Sequence, residues 1–293
     1  MMFTVNNLGL LADNYNFSKY LGNRDRQVLR QTIMTFSSIL AFQPKPVTIV
    51  EIGVGLSTLV ISDLISRRKD GSKLISYDIR GKDAFVENTR ELKIDIDRCL
   101  KSIDFRKEAT CTYEELTSFY MSSQSTVAKM GHEQLLKGLD RFVDWSMDDR
   151  RLLMVERLLG LENKTTLIND LRNFFLDNGL FSSSLFDLYR SNDCEFEWLK
   201  GYQSEVNFER SLKNQKIDIV YLDSGEFSSV LEFNKLEKYL EPGSILVVQD
   251  ILFPKSIKSF LIGAFLIGST DYQILWQDNT TPQGVLVAVK TSS

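Results

Sequence analysis

"VEIGVGLST" (residues 50–58) sets two glycines two apart, directly behind an acid and ahead of a Ser-Thr pair. An apolar run, Val47-Thr48-Ile49-Val50, leads into it, and Leu59-Val60-Ile61-Ser62-Asp63-Leu64-Ile65 leaves it with helical spacing. The pattern predicts a strand that breaks sharply into a helix, with glycine where the chain must turn. The continuous apolar character of the strand, Val47 to Ile52, fits burial on both faces, as in a parallel sheet. "KDGSK" (residues 69–73) then turns the chain into a second predicted strand, Leu74 to Asp78, which makes a βαβ opening.

Further strands are predicted at Glu195 to Leu199, Ile217 to Asp223, Ile245 to Asp250, Tyr272 to Gln277 and Val285 to Lys290. Helices fall between them, at Ser204 to Lys213, Ser228 to Tyr239 and Lys255 to Leu266, and "EPGS" (residues 241–244) reads as a turn. The last two strands are joined only by the loop "DNTTPQG" (residues 278–284), so they must pair antiparallel, because a parallel crossover needs about a dozen residues or more. The fold class is therefore α/β, a doubly wound and mostly parallel sheet ending in one reversed strand. Residues 1–46 form an N-terminal helical segment. Residues 47–83 and 193–293 form the core. Residues 84–192 show no strand signal and read as a large all-helical insertion of roughly a hundred residues, placed as a lid or a dimerisation surface.

Composition narrows the function classes. The chain has 293 residues with 43% hydrophobic content, enough for one large α/β domain with additions. Its net charge of −4 lacks the basic footprint of a nucleic-acid binder. No apolar run reaches the roughly 18 residues needed to span a bilayer. Three scattered cysteines, Cys99, Cys111 and Cys194, form no ligand spacing and suit a reducing compartment. A cytoplasmic protein without nucleic-acid or membrane partners is the expectation.

In an open parallel sheet, ligands bind beyond the carboxyl ends of the strands, where strand order reverses. Glu51, Gly53, Gly55, Asp78, Asp223 and Asp250 all fall at such ends. Gly53 and Gly55 let a ligand approach bare backbone. Asp78 lies roughly twenty residues downstream, where a carboxylate can take hydrogen bonds from ribose hydroxyls. Together they point to an adenosine-containing cofactor. The dinucleotide fingerprint wants a third small residue where this chain has Thr58. The acid at Glu51 would repel a pyrophosphate but suits a ligand carrying an ammonium and a sulfonium.

With these residues in place, the sequence resembles the class I S-adenosylmethionine-dependent methyltransferases. "VEIGVGLST", with Glu51, Gly53, Gly55, Ser57 and Thr58, is similar to the family's first motif. "ISYDI" (residues 75–79) resembles the second, with Asp78 as the ribose ligand. "GYQSEV" (residues 201–206) is similar to the segment that borders the adenine, through Gln203 and Ser204. Residues 218–251 resemble the fourth motif with Asp223, its helix, and the Pro-Gly turn into strand five. The resemblance implies a Rossmann-like, seven-stranded sheet of order 3-2-1-4-5-7-6 with the last strand antiparallel. It covers residues 47–83 and 195–290. S-adenosyl-L-methionine is the implied cofactor, with Asp223, Asp250 and Glu226 as the catalytic candidates.

An oxygen nucleophile needs a base or a metal to take its proton. Asp223 and Asp250 could share a divalent cation, but Ile251 stands where related enzymes carry a third ligand and Gln249 points to the opposite side of the strand. Metal is therefore the less favoured reading, and no metal ligand is assigned. The alternative for both aspartates is helix or turn capping. The expected activity is methylation of a small-molecule acceptor, with oxygen the favoured atom and nitrogen left open. Two rivals stay open: a nicotinamide-dependent oxidoreductase on the same sheet, and a non-catalytic scaffold that retains a degenerate cofactor fold. A homodimer through the insertion is a further expectation.

Overall fold

Five residues, "TIVEI", form the centre of the sheet, and four of them are buried. They lie in a computed structural model that describes residues 23–43, 45–89, 96–122, 137, 141, 199–202, 205–213, 215–225, 228–252, 259–279, 281 and 284–292. In chain order the elements are α1 (Asn23–Phe42), β1 (Thr48–Ile52), α2 (Leu56–Arg68), β2 (Lys73–Tyr77), α3 (Lys82–Thr89), α4 (Ile96–Leu100), β3 (Ile103–Arg106) and α5 (Tyr113–Ser122). Then follow α6 (Phe208–Leu212), β4 (Ile217–Leu222), α7 (Ser228–Glu237), β5 (Leu240–Gln249), α8 (Phe260–Gly268), β6 (Tyr272–Asp278) and β7 (Val285–Lys290).

The sheet runs β3-β2-β1-β4-β5-β7-β6. Strands β3, β2, β1, β4 and β5 are mutually parallel, whereas β7 is antiparallel to both of its neighbours. This is the Rossmann-like methyltransferase arrangement that the resemblance implied. The chain winds outward from β1 through β2 to β3, then returns to start again at β4. The reversal of strand order between β1 and β4 is the switch point that leaves a crevice at the strand ends.

Two predicted features are corrected. The third strand is Ile103–Arg106, inside the range read as wholly helical, and not Glu195–Leu199, whose one described residue, Leu199, opens a helical turn. β3 is a four-residue sheet edge with partly exposed side chains and alternating charge, so it carries no apolar run to betray it. β3 and α5 thus fall within residues 84–192, the range read as an all-helical insertion. Of residues 123–198 only Lys137 and Arg141 are described, so the predicted helical stripes and the lid or dimer surface lie outside the described residues. The second correction is "EPGS", which belongs to β5 itself. Gly243 takes a positive φ there and the register with β4 shifts, so the turn chemistry is spent on an irregularity within the strand.

The pleat sorts side chains onto two layers. Val50 and Ile52 join a core with Phe208, Phe233 and Phe260 from α6, α7 and α8. Ile49 joins the other, with Phe36 of α1 and Leu59 and Val60 of α2. Glu51 shares the face of Ile49 and lies under α2. Phe36 packs edge-on to Tyr221 of β4 at 5.4 Å, which pins α1 across the end of that strand.

The exit of α1 is fastened by Arg68 at the end of α2. Its guanidinium donates to the carbonyls of Leu40 (2.6 Å), Gln43 (2.6 Å) and Lys45 (2.9 Å) and to Asp70 (2.7 Å). Helix-end carbonyls lack partners of their own, so this one cation satisfies an otherwise open terminus. Arg68→Ala should lower the unfolding free energy by about 1–2 kcal/mol, measured in urea. No helix among the described residues is long and apolar enough to cross a membrane. Cys99 and Cys111 are buried and form no disulfide.

Candidate active site

At the switch point, β1 ends in a turn that no other residue type could make. Gly53 sits at φ +93°, and a Cβ there would come within 3.0 Å of the Asp223 carbonyl oxygen. Its N–H donates to Tyr77 O at 2.9 Å, and Asp223 N–H donates to Ile52 O at 3.3 Å, so the ends of β1, β2 and β4 are laced together. Gly55 then caps α2. Its N–H donates to Thr58 Oγ1 at 2.9 Å, one half of a capping box. A Cβ on Gly55 would meet nothing within 4 Å, because it would project into open space.

Gly55 also lines a cleft of about 500 Å³, bounded by Gly53 and Val54 after β1, Asp78 and Ile79 after β2, Glu108 to Cys111 after β3, and Asp223 to Gly225 after β4. Four parallel strands thus contribute their carboxyl ends to one hollow. Asp78 Oδ1 accepts Arg80 N–H at 2.7 Å and Oδ2 accepts Val54 N–H at 3.3 Å. The carboxylate is thereby clamped over the glycine turn while still lining the cleft.

A second cavity, about 260 Å³, adjoins the first and shares Gly55 and Asp223 with it. It is also lined by Val28, Leu29 and Thr32 of α1, Leu56 and Ser57 of α2, and Tyr221, Gln249 and Asp250. Alternation along β5 would put Gln249 and Asp250 on opposite faces. Asp250, however, takes φ +60°, which ends the extended run, and both residues line the cavity.

The placement of the remaining candidates differs from the reading of the sequence. Glu51 lines neither cavity. Its carboxyl group is wholly buried and takes hydrogen bonds from Ser57 Oγ (2.8 Å) and Ser76 Oγ (2.7 Å). β1 and β2 pair in register at Glu51 and Ser76, which sets the two side chains on one face. Burial pushes its pKa up to about 7, against the lowering effect of the hydroxyls. Glu51 thus sits beneath the turn, bonded to Ser57 and Ser76, and not on the wall of either cavity. Thr58 is likewise buried and occupied in capping, while Ser57 reaches the second cavity. Gln203, Ser204 and Glu226 lie outside the described residues. Of the segment holding the first two, Leu199 reaches the cleft, and Tyr202 receives the Ala109 N–H at 3.1 Å.

Sequence reasoning missed the loop after β3 and one residue of α7. Glu232 is buried at the cleft wall and accepts a short hydrogen bond from Thr110. Burial raises its pKa. Lys235 of the same helix donates to Thr110 O (2.9 Å) and to Glu115 (2.8 Å), fixing that loop from behind. The loop could have been found by locating the edge strand; nothing in the helix sequence singles out Glu232. Among the described residues no group of three or more His, Cys, Asp or Glu could hold a metal ion.

No family model matches the chain, and no curated protein matches it. Among solved structures it is similar to a candidate O-methyltransferase from Klebsiella pneumoniae, at 10% identity and a TM-score of 0.39, covering 100% of this chain and 93% of the other. It is also similar to cofactor-bound Rv0187 from MTB, at 8% identity and a TM-score of 0.42, covering 99% and 90%. At such distances neither likeness carries an argument about the site, which rests on its own geometry.

Proposed function

We propose that the chain is an S-adenosylmethionine-dependent methyltransferase that methylates an oxygen of a small molecule. One observation carries this most: bare backbone at Gly55 lines a cleft whose other wall holds the Asp78 carboxylate. A nucleoside fits that pairing. Asp78 would accept from the ribose hydroxyls, and Ile79 with the loop after β3 would border the base. Gly55 and Asp223 stand where the two cavities meet, which is where a transferable group must pass.

S-adenosylmethionine supplies a methyl carbon activated by a sulfonium, so its departure needs no acid. What remains for the protein is to align an acceptor with that carbon, exclude water and remove the acceptor's proton. Asp223 lines both cavities and Asp250 lines the second, and in this reading one of the two carboxylates would take the proton. Any contribution of Glu226 belongs to the same proposal.

Calorimetric titration tests the cofactor. S-adenosylmethionine and S-adenosylhomocysteine should bind with one site per chain, and NAD or NADP should not. Dinucleotide binding without the sulfur nucleosides would replace this function with that of an oxidoreductase. Asp78→Ala should weaken S-adenosylhomocysteine by about ten- to a hundredfold, the worth of hydrogen bonds to a charged acceptor.

A further inference from the structure

One face of α7 is polar where a core would favour apolar side chains. Ser228, Glu232 and Lys235 recur at i, i+4 and i+7, so they form one stripe along the helix. They are 5%, 2% and 6% exposed. Burying a hydroxyl, a carboxyl group and an ammonium carries a desolvation cost that apolar side chains of similar size would avoid. What such buried groups contribute is a fixed arrangement more than stability.

The arrangement centres on one residue of the cleft wall. Thr110 follows β3, and α7 holds it at two atoms. Its hydroxyl makes a short hydrogen bond to Glu232 Oε1, and its carbonyl accepts from Lys235 Nζ at 2.9 Å. Lys235 also donates to Glu115 at 2.8 Å, at the start of α5, so the chain is fastened beyond Thr110 as well. The Glu232 carboxyl group takes hydrogen bonds from Ser224 and Ser228 too, which joins the loops after β3 and β4 through one side chain. Thr110, Ser224, Ser228 and Glu232 line the cleft, and Lys235 does not.

Glu108 and Ala109 directly precede Thr110 and line the same cleft. One oxygen of Glu108 accepts Asn207 N–H at 3.2 Å. A carboxylate has acceptor capacity beyond a single bond, so it can also receive an amino group of a ligand. A carbonyl oxygen in the amino group's place would face an acceptor and bring no proton. Such a contact weakens steeply with distance and angle, so the position of the loop decides whether it is made.

We propose that the Ser228–Glu232–Lys235 stripe makes the cleft selective for a nucleoside whose base carries an amino edge, by holding Thr110 so that Glu108 meets that edge. Glu232 and Lys235 are positioning residues, acting on the base through Thr110 and its neighbours. The inference rests on the nucleoside reading of the cleft and extends it to the choice of base.

S-adenosylhomocysteine and its deaminated analogue, S-inosylhomocysteine, differ by an amino group against a carbonyl oxygen. Each is titrated calorimetrically into the wild-type protein and three variants. The wild type should prefer the adenosyl ligand by at least about tenfold, because the analogue leaves a desolvated acceptor unpaired. Lys235→Met removes the hold on the Thr110 carbonyl from a residue outside the cleft. It should lower that preference several-fold, weakening the adenosyl ligand more than the inosyl one. Glu232→Gln preserves volume and should act in the same direction, and it carries the test should Lys235→Met fail to fold. Thr110→Ser keeps both held atoms and should retain the wild-type preference. Equal binding of the two nucleosides by the wild type, loss of the preference in Thr110→Ser, or variants at Lys235 and Glu232 that weaken both ligands by the same factor or neither would each overturn the inference, since a stripe serving only the fold changes stability and not preference. Failure of the wild-type protein to bind either nucleoside would instead overturn the cofactor assignment, a separate and distinguishable result.

Discussion

Gly55→Val should abolish binding of S-adenosylhomocysteine while leaving the protein folded. Gly55 has φ −159° and ψ −152°, extended backbone that any residue adopts, and a Cβ there meets nothing within 4 Å. The fold therefore loses little, within about 1 kcal/mol in urea unfolding, as for a surface substitution. Gly55 lines both cavities, so the added side chain is expected to intrude on the ligand. Affinity should fall by at least about a hundredfold, since overlap with a close-packed ligand costs several kcal/mol. Gly53→Ala provides the contrast. It meets the Asp223 carbonyl and demands positive φ of a residue with a Cβ, so stability itself should fall by about 2–4 kcal/mol. A Gly55→Val protein that still bound the nucleoside at wild-type affinity would remove the ligand from the glycine turn.

The second large effect concerns Glu51 and pH. Its carboxyl group titrates near 7 in the folded protein, against 4.5 as the ordinary value, because burial disfavours the charge. Between those two values the folded state holds a proton that the unfolded chain has released. Stability from this group is therefore full below pH 4.5, declines as pH rises toward 7, and levels off above it. The span is roughly 3 kcal/mol. Glu51→Gln keeps an amide in the same place and cannot ionise. The difference in unfolding free energy between Gln variant and wild type should thus grow in favour of the variant from pH 4.5 to 7 and stay constant to pH 8. A flat difference across that range would mean that the carboxyl group titrates normally. Ser57 and Ser76 explain why an ionisable group sits there at all: its two oxygens tie α2 to β2 directly beneath the glycine turn.

Those two residues also mark what the sequence could reveal. Gly53, Gly55, Asp78, Asp223 and Asp250 were legible because turn chemistry is local: a glycine pair and acids at the ends of apolar runs mean strand termini, and in a parallel sheet those termini share one edge. The reversed β7 was legible because a short loop permits nothing else. The depth of Glu51 was not. Proximity in sequence to the turn suggested contact with a ligand, whereas the pleat directs its side chain into the α2 layer. Gln249 escaped for the opposite reason. Regular alternation sets it away from Asp250, yet the extended run ends at the left-handed backbone of Asp250 and both residues line the second cavity. β3 was hidden by being a short, half-exposed edge, and with it the loop from Glu108 to Cys111 that completes the cleft.

The central claim is that the cleft between the glycine turn and Asp78 receives the sulfur nucleoside with its sulfur toward the second cavity. A crystal structure of the protein grown with S-adenosylhomocysteine tests it directly. The account predicts ribose hydroxyls hydrogen-bonded to Asp78, the base against Ile79 and the loop after β3, and sulfur beside Gly55 and Asp223. Density for the ligand elsewhere on the chain, or a cleft filled by the protein's own side chains, would contradict it.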